Sequence, residues 1–175
     1  MTSTEVFESI TNGGASDFAA AVTILNKHGR WCLIEGLAVN CYVEPVYTMD
    51  ADMVVVSALL ARIQNELSAD GVQITEHLHS VNAQMKGSEL RIQFTTDPRY
   101  QDFLADPETK TVLGREVPVA SLANVVRGKV WAWHDPKRSL SKRKKDELDL
   151  IRIAERYPEL RTLMPSEIVN QLKDS

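Results

Sequence analysis

Two carboxylates, Asp50 and Asp52, stand at the start of an apolar run that continues through residues 53–56. In a β-strand, side chains two residues apart point to the same face, with Cα atoms roughly 7 Å apart. The run therefore predicts a strand that enters a core while its first residues present two acids to one point. Adjacent carboxylates repel each other unless a cation lies between them, and Mg²⁺ is preferred where phosphate completes its oxygen shell. Ordinary surface strands also carry acid pairs, so a metal site and a structural role both remain open.

The size and composition of the chain indicate one domain with a helical C-terminal part. It has 175 residues, of which 43% are apolar and 25% charged, and this is enough for a substantial core. We expect a polar segment over residues 1–15, a core over residues 16–120, and a helical part over residues 121–175 packed on that core. Cys32 and Cys41 lack metal-ligand spacing and are typical of free thiols in a reducing cytoplasm. The sequence shows neither a signal peptide nor a membrane span, which would need about 18 apolar residues, so we expect a cytoplasmic protein without a membrane partner.

Positive charge is concentrated in one segment of an otherwise acidic chain. The net charge is −4, yet residues 127–145 carry eight Lys or Arg against a single Asp, a local net charge of +7. This asymmetry predicts an anionic partner such as RNA. The alternative is that these cations only form ion pairs along a helix, Lys142 with Asp146 and Lys145 with Asp149. Such Lys-before-Asp pairs add little stability, and cations in a first helical turn oppose the helix dipole. The candidate RNA-binding residues are Lys137, Arg138, Lys142, Arg143, Lys144 and Lys145.

Hydrophobic periodicity predicts an α/β protein with a mixed, mostly antiparallel sheet of four or five strands flanked by helices. Besides the acidic strand, apolar or alternating runs predict strands over residues 31–34, 72–75, 81–85 and 90–94, and a small hairpin around Gly114. Cap residues followed by helical periodicity predict helices that begin near Ser16, Ser57, Ser121, Ser141 and Ser166, the last one reaching Lys173.

Gly36 and Lys129 each have a functional and a structural interpretation. Gly36 follows the predicted strand over residues 31–34 and opens a short helix, so it either lets a phosphate approach the backbone or simply forms a tight turn. Lys129 falls near the edge of the inward stripe of its helix. Its ammonium either reaches water along the protein surface or is aimed at a phosphate in a cleft.

In chain order, the Gly36 turn, residues 48–52, and Lys129 followed by a basic segment and Asp146 resemble the DNA polymerase β-like nucleotidyltransferase superfamily. More narrowly, the chain is similar to the AbiEii/AbiGii-type nucleotidyltransferases, many of which are toxins of bacterial toxin–antitoxin pairs. The resemblance covers roughly residues 18–159, and its most specific parts are residues 128–133 and 141–149.

The resemblance implies a protein that transfers a nucleoside monophosphate from an NTP to an acceptor hydroxyl, with an RNA such as tRNA as acceptor and an antitoxin as partner. In such a site, Asp50 and Asp52 would hold Mg²⁺, and Gly36 and Thr48 would hold the triphosphate. Lys129 would neutralise phosphate charge, and Asp146 would act as a general base or position the acceptor.

Three residues depart from the pattern of the superfamily. Val46 stands where an Arg often precedes the acidic strand. Glu35 replaces the first of two glycines, and Gln93 stands where other members carry a third carboxylate. Glu35 and Gln93 favour a first rival, a non-catalytic protein of the same fold that binds a nucleotide, RNA or a protein. A second rival is an RNA-binding module that uses only the basic segment, in which Asp50 and Asp52 would be structural.

Overall fold

The computed structural model describes residues 2–172, and these residues form a seven-stranded sheet. The strands are β1 (Trp31–Ile34), β2 (Asp50–Val55), β3 (Val72–Glu76), β4 (Ser80–Met85), β5 (Arg91–Thr95), β6 (Glu108–Val112) and β7 (Arg115–Val119). Their order in the sheet is β3-β4-β5-β2-β1-β7-β6. The β1–β7 and β2–β5 pairs are parallel, and the other four neighbouring pairs are antiparallel. The predicted mixed, mostly antiparallel sheet is therefore confirmed.

The sheet has more strands than the four or five predicted, because the hairpin around Gly114 extends the main sheet. Its two strands, β6 and β7, pair with each other, and β7 pairs with β1 through Leu33 and Val119. Alternating runs predict that such a hairpin forms, but they do not determine which edge of a sheet it joins.

Seven α-helices lie within residues 2–172: α1 (Ser3–Ile10), α2 (Gly14–His28), α3 (Glu35–Val39), α4 (Leu60–Ala69), α5 (Leu122–His134), α6 (Leu140–Arg156) and α7 (Ser166–Val169). Short 3₁₀ helices span Ser57–Leu59, Pro98–Leu104, Pro158–Leu163 and Asn170–Leu172. Met1 and residues 173–175, which belong to the predicted terminal segments and include the predicted helix end at Lys173, lie outside the described residues. No helix within residues 2–172 is both long and apolar enough to cross a membrane.

Two helix starts differ from those predicted. At α2, the Thr11 hydroxyl and the Glu8 carboxylate accept hydrogen bonds from the backbone N–H groups of Gly14 and Ser16, whereas at α6 the N-cap Ser139 makes no such side-chain bond. The polar N-terminal segment contains α1, whose N-terminus is capped by reciprocal hydrogen bonds between Thr2 and Glu5. Helix α2 begins at Gly14 rather than near Ser16, and α6 begins after Ser139 rather than Ser141. The end of α2 at Gly29 is as predicted, and its φ of 116° is one that glycine adopts without strain.

The acidic strand β2 lies in the middle of the sheet, between β1 and β5. Its later residues Met53, Val54 and Val55 are buried, as expected for a strand covered on both faces. Only its first residues reach the edge of the core. The fold therefore presents Asp50 and Asp52 where β2 enters the sheet.

Candidate active site

A cleft of about 840 Å³ opens at the start of β2. It is lined by the turn after β1, the first residues of β2, part of β5 and the facing sides of α5 and α6. All six of the predicted site residues contribute to this lining: Gly36, Thr48, Asp50, Asp52, Lys129 and Asp146. The fold thus brings together segments that are far apart in the sequence.

Strand pairing determines which residues meet at the cleft. Strand β1 is antiparallel to β2, with Ile34 opposite Asp52, so the Gly36 turn lies beside the acidic start of β2. Strand β5 is parallel to β2, with Arg91 opposite Asp50 and Gln93 opposite Asp52. Gln93 therefore occupies the position beside the acids that the resemblance assigns to a third carboxylate.

Gly36 and Thr48 form one wall of the cleft. A Cβ atom on Gly36 would lie 3.5 Å from the Thr48 hydroxyl oxygen, an ordinary contact distance, so a side chain there would occupy the space beside Thr48. The Thr48 hydroxyl accepts a hydrogen bond from the backbone N–H of Asp50 at 3.2 Å. The hydroxyl proton stays available to a ligand in the cleft, because the oxygen is the acceptor in this bond.

The two acids of β2 have different surroundings. Asp50 Oδ1 accepts a hydrogen bond from Arg91 Nε at 2.7 Å, and the two side chains are 44% and 54% exposed. No hydrogen bond or ion pair reaches the Asp52 carboxylate from any side chain within residues 2–172. Burial and the negative charges of Glu35 and Asp50 raise the pKa of Asp52 to about 7, although Lys129 and Arg138 oppose the shift. Asp52 thus lacks a cation partner in the cleft.

The donor set at the start of β2 fits one divalent cation. Among residues 2–172, no group of three or more His, Cys, Asp or Glu side chains is arranged to hold a metal ion. Asp50 and Asp52 provide two carboxylates on one face, and the neutral amide of Gln93 lies beside Asp52. Mg²⁺ is often bound by one or two carboxylates together with phosphate and water oxygens. A bound cation would also relieve the repulsion at Asp52.

Lys129 lies in the interior and not at the protein surface. It is 5% exposed, and its Nζ lies 2.8 Å from Glu35 Oε2, 3.0 Å from Asp146 Oδ1 and 2.9 Å from Asp149 Oδ2. Burial alone would lower its pKa, but the three carboxylates raise that pKa above the ordinary value. Burial alone would raise the pKa of Glu35, but the charge and hydrogen bond of Lys129 hold it below the ordinary value. Both groups are therefore charged at neutral pH.

Two arginines complete this buried network. Arg138 Nε lies 2.6 Å from Asp146 Oδ2, and Arg152 Nη1 lies 2.8 Å from Asp149 Oδ1. Arg152 also donates to the backbone carbonyl of Glu44 and so links α6 to the loop before β2. The network joins three cations to three carboxylates and is neutral as a unit.

Local sequence patterns do not predict this network as a unit. They mark Glu35 only as a departure from a glycine pair, and they predict that Asp149 pairs with Lys145 along a helix. The available signal was an acid directly after a buried strand, since a buried charge needs a cationic partner. The backbone adds a second unusual feature, because Glu35 has a φ of 58°, in the left-handed region that favours glycine.

The basic segment contributes to the same cleft. Lys137, Arg138, Lys142 and Lys145 line it, whereas Lys144 pairs with Glu147 at 3.1 Å. The helical pairs that would have explained the segment structurally, Lys142 with Asp146 and Lys145 with Asp149, do not form within the described chain. Asp146 and Asp149 instead turn toward Lys129. Of the cleft-lining cations, Lys137, Lys142 and Lys145 are exposed and form no ion pair within residues 2–172, so three cations remain available in the cleft that holds Asp50 and Asp52.

No protein-family model matches the sequence, and the curated proteins contain no match to it. Among solved structures, the chain is similar to the antibiotic-resistance factor ANT(2'')-Ia in its solution structure, with a TM-score of 0.58 and 13% identity over 85% of this chain and 89% of that one. The crystal structure of ANT(2'')-Ia in complex with adenylyl-2''-tobramycin gives a TM-score of 0.57 and 13% identity over 85% of this chain and 95% of that one. An antigenic nucleotidyltransferase-like protein from Paracoccidioides brasiliensis gives 0.53 and 14% identity over 88% of this chain and 85% of that one.

These similarities establish that the chain has the fold of nucleotidyltransferases. At 13–14% identity they concern the fold alone. The narrower likeness to AbiEii/AbiGii-type proteins stays a prediction.

Proposed function

We propose that this protein is a Mg²⁺-dependent nucleotidyltransferase that transfers a nucleoside monophosphate from an NTP to an acceptor hydroxyl. The observation that carries the proposal is that Asp50 and Asp52 lie on one face at the start of β2, beside the Gly36–Thr48 wall of the same cleft. The shared fold with nucleotidyltransferases supports it. Asp50 and Asp52 would hold Mg²⁺, which would neutralise charge on the attacked phosphate and orient the NTP.

The reaction forms a bond from the acceptor oxygen to the α-phosphorus and breaks the bond from that phosphorus to the oxygen bridging to the β-phosphate. Pyrophosphate leaves, and the hydroxyl proton passes to solvent. In this proposal, Gly36 lets the triphosphate approach the backbone and the Thr48 hydroxyl donates to a phosphate oxygen. Preorganised donors and cations of this kind stabilise the charge that develops during transfer.

The contacts of Lys129 and Asp146 within the buried network support a role other than direct contact with the substrate. Asp146 is 1% exposed and contacts both Lys129 and Arg138. We therefore propose that Lys129 and Asp146 are positioning residues that fix the Glu35 turn against α5 and α6. In this proposal, the exposed cleft-lining cations Lys137, Lys142 and Lys145 neutralise phosphate charge in place of Lys129.

We extend the proposal to an RNA acceptor, with tRNA as the first candidate. The support is that Lys137, Arg138, Lys142 and Lys145 line the cleft that holds the two acids. Cations on such a surface bind a phosphate backbone and make the affinity depend on salt. A toxin role with an antitoxin partner is also part of the proposal and rests on the AbiEii/AbiGii resemblance alone.

One observation favours the rival in which the protein binds a nucleotide without transferring it. Lys129, the cation that the resemblance assigns to phosphate, already contacts three carboxylates. A non-catalytic protein would keep the fold and the buried network but would lose transfer.

The test is calorimetric titration of each NTP into the protein with Mg²⁺ or with EDTA, combined with a transfer assay on RNA. The variants are Asp50→Asn, Asp52→Asn and the double variant, with Asp102→Asn as a control, since Asp102 is exposed and lies outside the cleft. We expect one NTP to bind in Mg²⁺, and both its binding and its transfer to be lost in the cleft variants and kept in the control. Unchanged binding and transfer in the double variant would refute the proposal. Mg²⁺-dependent binding without transfer to any acceptor would establish the rival.

A further inference from the structure

The cleft also contains a stack of flat side chains that the transfer reaction does not use. The guanidinium of Arg99 lies over the indole of Trp131, with its Cζ 4.7 Å from the ring centroid. Trp131 in turn stacks on Phe103, with ring centroids 5.6 Å apart and an angle of 21° between the rings. Phe103 is fully buried, whereas Arg99 and Trp131 line the cleft. The stack therefore runs from the core to the cleft and ends in a planar cation.

Asp97 holds Arg99 in one orientation. Its carboxylate accepts hydrogen bonds from the Arg99 side chain, with Nε 3.0 Å and Nη2 2.7 Å from Oδ2. Oδ1 also accepts from the backbone N–H of Arg99 at 3.0 Å, which caps the 3₁₀ helix Pro98–Leu104. A bidentate carboxylate fixes the plane of a guanidinium as well as its position. The end of the stack is thus built before any ligand arrives.

The exposed part of Arg99 faces the cleft. Its side chain is 56% exposed although the guanidinium covers the indole, so a substantial part of the cation remains open to a ligand. Nucleobases stack on arginine guanidinium planes and on aromatic rings in nucleic-acid complexes. A lysine at this position would keep the charge but could not provide a flat surface.

We propose that Arg99, stacked on Trp131 and fixed by Asp97, is the binding platform for a nucleobase in this cleft. The inference rests on the proposed function to the extent that the ligand is a nucleotide. The base belongs either to the donor NTP or to the acceptor RNA, and both present the same flat π face. Arg99 acts by stacking and is not placed at the reacting phosphate.

The chain offers a matched control for this platform. Arg127 is a second guanidinium near the same indole, with its Cζ 5.3 Å from the Trp131 ring, but it does not line the cleft. Arg99→Lys and Arg127→Lys therefore make the same chemical change on the same tryptophan, and only the first removes a flat surface that faces the cleft. Thermal unfolding of both variants verifies that each is folded.

Three kinds of ligand separate the effect of stacking from that of charge: the four NTPs, a fluorescein-labelled single-stranded RNA, and inorganic tripolyphosphate, which has no base. We expect Arg99→Lys to weaken binding of a base-bearing ligand about 5- to 160-fold, the range found when a stacking partner is removed. Tripolyphosphate binding should stay unchanged, and so should all binding by Arg127→Lys. A loss confined to NTP assigns the platform to the donor base, and a loss confined to RNA assigns it to the acceptor base.

Three results would overturn the platform. The first is that Arg99→Lys and wild type bind every base-bearing ligand with equal affinity. The second is that Arg99→Lys loses as much affinity for tripolyphosphate as for the base-bearing ligands. The third is that the wild type binds no base-bearing ligand. The platform and the transfer activity can also fail separately. RNA binding that depends on Arg99, without Mg²⁺-dependent NTP binding, would keep the platform and reject the transferase. Nucleotide transfer that proceeds equally well in Arg99→Lys and wild type, with no change in ligand affinity, would keep the transferase and reject the platform.

Discussion

Replacing Lys129 by methionine tests whether this lysine holds the fold together or serves a ligand. Methionine keeps an unbranched chain of similar length but removes the charge. In the buried network, Asp146 would still contact Arg138 at 2.6 Å and Asp149 would still contact Arg152 at 2.8 Å. Each of these two carboxylates therefore keeps a cation after the change.

Glu35 would lose its only ion pair within the described residues. Its other contact is a long hydrogen bond of 3.4 Å from the Tyr100 hydroxyl to Oε1. Removing one partner of a buried ion pair typically costs about 3–5 kcal/mol, because the remaining charge is uncompensated. With a typical denaturant slope of about 2 kcal/mol per M urea, the unfolding midpoint should fall by about 1.5–2.5 M.

Adding Glu35→Gln to Lys129→Met removes the stranded charge and should recover more than half of the lost stability. Lys145→Met is the control, because Lys145 is exposed on α6, and surface changes of this kind usually stay within about 0.5 kcal/mol. Urea unfolding followed by far-UV circular dichroism measures all three variants. A midpoint for Lys129→Met close to that of wild type, or no recovery in the double variant, would show that the network does not hold the fold together.

The pH dependence supplies an independent check on the same variant. In the wild type, the lowered pKa of Glu35 contributes stability that is present above its unfolded-state pKa and is lost as the pH falls through its folded-state pKa. Without Lys129, burial raises the pKa of Glu35, so the variant should regain stability as acid protonates it. The difference in unfolding free energy between the two proteins should therefore narrow from pH 7 toward pH 4. A constant difference would contradict the assignment of the lost energy to Glu35.

Two predictions concern the surface of the cleft. Arg91→Ala should increase the affinity for Mn²⁺, a calorimetric probe for the metal, by up to about five-fold. The reason is that Arg91 Nε forms an ion pair with Asp50 Oδ1 at 2.7 Å, and exposed pairs of this kind contribute about 0.2–1 kcal/mol. Unchanged or weaker Mn²⁺ binding would show that Arg91 does not compete at Asp50. The double variant Lys142→Ala, Lys145→Ala should bind single-stranded RNA with a weaker salt dependence. The negative slope of the logarithm of the association constant against the logarithm of the salt concentration should become shallower by about 0.7 for each lost phosphate contact. Lys144→Ala is the control, since Lys144 pairs with Glu147 outside the cleft, and equal slopes in both variants would argue against an RNA path through the cleft.

Local sequence patterns predict much of the site because the relevant geometry spans few residues. The two-residue period of a strand places Asp50 and Asp52 on one face, and the structure has this strand at the centre of the sheet. The resemblance names Gln93 as the neighbour of this pair, and the register places it opposite Asp52. In each case, one short segment or one strand pairing is enough to fix the arrangement.

The position of Lys129 was not predictable in the same way. Helical periodicity places it near the edge of an apolar stripe, where a lysine usually reaches water. Lys129 is buried against the carboxylate of Glu35, which follows β1, and against two carboxylates of α6. The packing of these distant segments therefore determines its burial. Glu35 poses the same difficulty, since its left-handed backbone and buried charge make sense only when Lys129 is in place.

The charge balance of the cleft is compatible with the proposed binding of a triphosphate, although Glu35 stands in place of a glycine. The charge of Glu35 is neutralised within the buried network, and that of Asp50 is neutralised by Arg91. Among the acids that these elements bring to the start of β2, Asp52 alone lacks a cation within residues 2–172. A nucleotide that arrives with a divalent cation would supply that missing charge, whereas a nucleotide without one would meet an uncompensated carboxylate. Under the proposed function, nucleotide binding would therefore depend on the metal through Asp52, and the acid at Glu35 would not by itself close the site to phosphate.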